Sequence, residues 1–161
     1  MGISCEHLRL YVIRPTLEKL DLWSQSAENL LLGTVAQESG MGTYLKQIGG
    51  GPALGIYQME PATYSDIWDN YLAYNAPLYR LVTLFISKIN TGQNGLGAKE
   101  MITNLAYATA LARVHYLRVK EPLPPASDIT GLALYWKKYY NTNKGKGTVD
   151  EFKKNYEKYV T

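Results

Sequence analysis

Ser24-Gln25-Ser26-Ala27-Glu28-Asn29-Leu30-Leu31-Leu32-Gly33-Thr34-Val35-Ala36-Gln37-Glu38-Ser39-Gly40 is the stretch on which the reading of this chain turns. Ser24 or Ser26 can open a helix by accepting an unpaired backbone N–H. Ala27, Leu30, Leu31, Thr34 and Val35 then recur at spacings of three and four, and Gly40 can close the helix in the left-handed conformation. Residues 27, 31, 34, 35 and 38 share one face, so Glu38 continues an otherwise apolar row. Burial disfavours an ionised carboxylate, and so does the negative end of the helix dipole just before Gly40. An acid that keeps its proton near neutral pH can protonate a poor leaving group such as a sugar oxygen. The alternative is a solvated glutamate at a helix end.

The same grammar predicts helices on both sides of this one. Ser4 can cap a segment through Leu8, Tyr11 and Val12, which Pro15 either kinks or restarts. Five further glycines or prolines between Gly40 and Gly55 predict turns or a small irregular hairpin. Pro61 starts a helix through Ile67 and Tyr71; Asn75 caps another through Leu78, Leu81, Phe85 and Ile89, and Asn94-Gly95 marks a turn. Met101, Leu105, Ala108, Ala112, Tyr116 and Val119 form one stripe on a helix of about five turns, which reads as the central core helix. The segment from Glu121 to Pro125 breaks it. Ser127 caps the next helix through Leu132, Leu134 and Trp136, and Thr148 with Glu151 forms a capping box for the last. The fold expected is mainly α: a single domain over residues 1–161 with seven or eight helices and at most a small β region.

Composition excludes several chemistries. A chain of 161 residues, 46% of them hydrophobic, is large enough to bury one continuous core. The lone Cys5 allows no intramolecular disulfide, and His7 and His115 are the only histidines, so neither a structural zinc nor any cofactor is expected. Gly92, Gly95 and Gly97 lack the Gly-Lys-Ser/Thr of a phosphate loop. No signal-peptide-length or membrane-spanning apolar stretch is seen. From Tyr135 onward seven lysines face Asp150, Glu151 and Glu157; helical lysines usually form a solvated face and an anionic cell wall would attract this charge just as well as nucleic acid, which is not expected as a partner.

Glu38-Ser39-Gly40, followed by Gly55-Ile56-Tyr57-Gln58-Met59-Glu60-Pro61-Ala62-Thr63, resembles the soluble lytic transglycosylases, in which a Glu-Ser pair ends a helix and a Gly-Leu-Met-Gln run leads into Met-Pro-x-Thr. Ala108 to Leu117 resembles the core helix of that family, and Tyr139-Tyr140-Asn141 resembles its Ala-Tyr-Asn-Ala-Gly motif. The chain departs from the pattern at Tyr57, where methionine is usual, and after Asn141, where Thr142-Asn143-Lys144-Gly145 replaces Ala-Gly.

The resemblance implies a lysozyme-like fold and cleavage of the β-1,4 bond between N-acetylmuramic acid and N-acetylglucosamine in bacterial peptidoglycan. Glu38 would act first as acid and then as base while the muramoyl C6 hydroxyl closes on C1 to give a 1,6-anhydro end. A nucleophile tethered to the same sugar reduces the need for a second carboxylate. Glu60 could supply one and turn the enzyme into a water-using muramidase; a non-catalytic glycan-binding or structural virion protein is the third reading. Substrate-binding candidates are Ser39, Gly55, Tyr57, Gln58, Glu60, Tyr140 and Asn141. Each has a plainer alternative: Ser39 as a helix cap, Gly55 as a turn, Gln58 as a loop-tying amide, and the tyrosines, with Trp136, as core. Small size points to a bacteriophage protein acting in the cell wall or periplasm, as a lysis enzyme or a virion part, with other lysis or virion proteins as partners.

Overall fold

Side chains a few residues away set most helix starts among the described residues. In the computed structural model, which describes residues 2–87, 97–142 and 145–161, Ser24 accepts from the Ala27 N–H at 3.0 Å and opens a helix over Gln25–Ser39. Gly40 ends it at φ 56°, and the N–H groups of Gly40 and Met41 both turn back to the Val35 carbonyl. The full order is α1 (Cys5–Leu8), α2 (Arg14–Lys19), α3 (Gln25–Ser39), α4 (Pro61–Asn70), α5 (Ala76–Thr83), α6 (Glu100–Thr103), α7 (Leu105–Leu117), α8 (Ile129–Trp136) and α9 (Val149–Tyr159). The molecule is mainly α, as expected. Among the described residues the β content is limited to isolated bridges, Lys46 with Leu54 and Leu54 with Met59.

Ser4 caps α1, but α1 and α2 do not meet as two separate helices. Pro15 brings no N–H, so the ladder before it widens into a π turn over Arg9–Ile13, in which the Arg14 N–H reaches back five residues to Arg9. The N-terminal segment is thus one continuous rod with a bulge.

Other boundaries differ from the sequence reading. The expected five-turn helix from Met101 to Val119 is two, because Asn104 leaves helical geometry (φ −107°, ψ 91°) and accepts from the Tyr107 N–H as the cap of α7. Asp128, not Ser127, caps α8, accepting from Gly131 N–H at 2.8 Å. Thr148 and Glu151 form the capping box of α9. α5 ends at Thr83, short of Phe85; Ile89 and the Asn94-Gly95 turn lie outside the described residues.

The centre of the core is α3 together with α7, rather than α7 alone. Leu30, Leu31, Leu32 and Val35 are all buried, so α3 is enclosed on nearly every side, not along one stripe. It packs on α9, α8 and α7. Gly33 permits a close approach to α9: a Cβ there would sit 2.3 Å from the Phe152 ring. Burying α3 this deeply brings both of its glutamates, Glu28 and Glu38, away from bulk water.

Candidate active site

A cleft of about 710 Å³ runs across the C-terminal end of α3. Gln37 and Glu38 are at its floor. One wall is the irregular segment between α3 and α4, contributing Tyr44, Gln47, Ile48, Gln58 and Glu60. The other is formed by His115 of α7, by Tyr140 and Asn141, and by Gly145 to Gly147.

Glu38 is held in place. The indole N–H of Trp136, on α8, donates to its Oε1 at 2.9 Å. Trp136 itself is fully buried, its ring tilted 31° to that of Phe152 at 5.3 Å, and contributes only this N–H to the carboxylate. Burial pushes the Glu38 pKa up to about 7, with the Trp136 hydrogen bond opposing the rise. The surroundings are aromatic: the hydroxyls of Tyr116 and Tyr140 are raised by burial first and then by the Glu38 charge. Tyr116 shares a hydrogen bond with Thr34 at 2.8 Å, while Tyr140 donates to the Tyr57 carbonyl at 2.7 Å. Among the described residues no carboxylate contributes to the Glu38 shift, although Glu60 borders the same cleft.

Of the residues singled out from sequence, Glu38, Gln58, Glu60, Tyr140 and Asn141 border this one cleft. Gln58 sits at φ 47°, a conformation that costs a residue with a side chain, and its amide nitrogen donates to the Gly55 carbonyl at 2.8 Å. Its loop-tying role is therefore real, and it still borders the cleft. Asn141 accepts from Lys137 Nζ at 2.6 Å.

Three candidates need correction. Ser39 is buried and faces away from the cleft lining: its hydroxyl donates to Ile56 O at 2.6 Å and accepts from Gly42 N–H at 2.9 Å, tying the helix end to the following loop. Gly55, at φ 72°, is demanded by packing, since a Cβ would lie 2.3 Å from the Met101 carbonyl oxygen. Tyr57 is a core residue whose hydroxyl meets Thr109 Oγ1 at 3.1 Å; its bulk fills the interior between α3 and α7 instead of covering a sugar.

The sequence reading missed Lys137, His115 and the partner of Glu38. Lys137 Nζ donates to Asn141 Oδ1, Gly145 O and Gly147 O, at 2.6, 2.9 and 2.7 Å, and so fastens the second wall. Burial lowers His115 to about 4, with the Arg118 charge acting in the same direction, so the imidazole is neutral at pH 7. It meets Tyr140 edge-on at 5.0 Å. The Trp136 contact spans 98 positions, and no local pattern encodes it. The chain matches no family model, no curated protein and no solved structure.

Proposed function

We propose that the protein is a peptidoglycan lytic transglycosylase of lysozyme-like fold, cleaving the N-acetylmuramic acid to N-acetylglucosamine β-1,4 bond with Glu38 as its acid and base. The observation that carries this reading is a carboxylic acid, raised to about 7 by burial, that lines a cleft of about 710 Å³. At neutral pH such a group is present in both protonation states, as a residue must be that gives a proton and takes one back.

Glu38 protonates the bridging oxygen as the C1–O bond breaks and the leaving sugar departs as an alcohol. The muramoyl C6 oxygen then bonds to C1, and its hydroxyl proton passes to the Glu38 carboxylate, which restores the starting acid. Trp136 keeps the carboxylate in one orientation through both transfers by holding Oε1. Gln58 and Asn141, on opposite walls, offer amide groups to the acetamido and hydroxyl substituents of the sugars.

Glu60 borders the same cleft, and this favours the second reading, a hydrolytic muramidase in which Glu60 activates water. Mass spectrometry of purified peptidoglycan after digestion separates the two: anhydro ends are expected, reducing ends would assign hydrolysis, and intact strands would leave a glycan-binding protein. A bacteriophage role in the cell wall, as a lysis enzyme or a virion part, is part of this proposal and not a consequence of the chemistry. Requirement for lysis together with absence from purified particles would select the first.

A further inference from the structure

Arg113 of α7 is 8% exposed and takes no part in the cleft. The guanidinium–carboxylate pairs of the described residues belong to Arg9, Arg14 and Arg118. The Nε of Arg113 is sealed from solvent without a hydrogen-bond partner. The groups whose charge acts on it are the phenols of Tyr135 and Tyr71, and among the described residues no carboxylate does so. A buried cation without a counter-charge is costly, and folded proteins almost always complete it.

Arg113 borders a separate cavity of about 200 Å³, with Lys120 as a second cation at its rim. Glu121 is at the same rim, with its exposed carboxylate 3.6 Å from Lys138 Nζ and not paired with Arg113. The remaining walls are apolar, chiefly Leu117, Leu123 and the Tyr135 ring. At ~30 Å³ per water molecule the cavity holds the bulk of roughly seven waters, enough for a carboxylate on a short apolar group. A guanidinium recognises a carboxylate through parallel N–H donors, and the apolar walls disfavour a fully hydrated ion such as phosphate.

We propose that the Arg113 cavity is a binding site for a carboxylate carried on a small apolar group, either a free short-chain acid or the C-terminus of a peptide. This site is independent of the glycan cleft and of the reaction assigned to it. The test is thermal melting of the full-length protein titrated with sodium isobutyrate, N-acetyl-alanyl-alanine or inorganic phosphate, at constant ionic strength against chloride. A saturable rise of roughly 3–5 °C at ten times the dissociation constant is expected for the two carboxylates, and the one that saturates at lower concentration identifies the source. The variant R113M should fold, melt no lower than the wild type in chloride, and show no such rise. An equal rise in R113M, a response to phosphate alone, or no response in the wild type would overturn the proposal. If R113M does not fold, the Nε–H resonance of Arg113 in the wild-type protein decides: a saturable shift with isobutyrate supports the site, and an unmoved resonance overturns it.

Discussion

Glu28 and Glu38 are on the same helix, ten residues apart, and their environments drive them in opposite directions. Glu28 near the start of α3 is fully buried, yet Arg14, Arg9, Trp23 and Gln25 all donate to its carboxylate, at 2.5 to 3.3 Å. Burial alone would raise it; the hydrogen bonds from Arg14, Trp23 and Arg9 overcome that and hold it down at about 2. Glu38 near the end has, among the described residues, one donor and no cation, and burial lifts it to about 7. Burial is therefore common to both, and the supply of donors decides whether a buried carboxylate becomes a fixed anion or a proton carrier. The first holds the N-terminal rod to the core, and the second is free for chemistry.

The contrast can be broken most severely at Glu38. Glu38→Gln keeps the shape and an oxygen for Trp136 but removes the proton, and should lower release of soluble muropeptides by about 10³-fold, within the range for a lost general acid. Activity near that of the wild type would end the assignment. Glu28→Gln is the reciprocal change: it leaves two arginines without their anion and should cost on the order of 3 kcal/mol in urea unfolding. The dependence of the remaining activity on pH should not move, since Glu28 takes no part in the cleft.

The two acids should also leave opposite marks on stability. Glu28 lies below its ordinary value of 4.5, so its contribution is present above pH 4.5 and is lost as pH falls toward 2. Glu38 lies above that value, so the folded state is penalised progressively as pH rises from 4.5 to 7, by up to about 3 kcal/mol. Glu38→Gln should therefore be more stable than the wild type at pH 8, with the difference vanishing below pH 4.5; equal melting temperatures at pH 8 would contradict the burial of this acid. The smallest effect sharpens the comparison. Trp136→Phe keeps a ring against Phe152 but removes the one donor to Glu38, and should move the fall of activity with rising pH from near 7 to higher pH by up to about one unit. A shift to lower pH would show that the indole does not hold the acid in the way described.

The amino-acid sequence by itself determined the helical class and most helix starts. Ser4, Ser24, Asn75 and the Thr148 and Glu151 pair cap their helices by bonds three residues long, so the information and its effect are adjacent. Glu38 was legible for the same reason, as a charge on an apolar face. Tertiary structure alone decided which side of a motif faces the cleft. Ser39 and Glu38 are neighbours in the sequence, and Tyr57 and Gln58 are too, yet one of each pair enters the interior and the other borders the groove. It also decided the fate of each carboxylate, because the groups that set their proton affinity, Trp136 for Glu38 and Arg9 and Arg14 for Glu28, come from distant parts of the chain. Helix formation follows contacts within a turn or two, whereas proton affinity depends on every dipole and charge within several ångströms, and only folding brings those together.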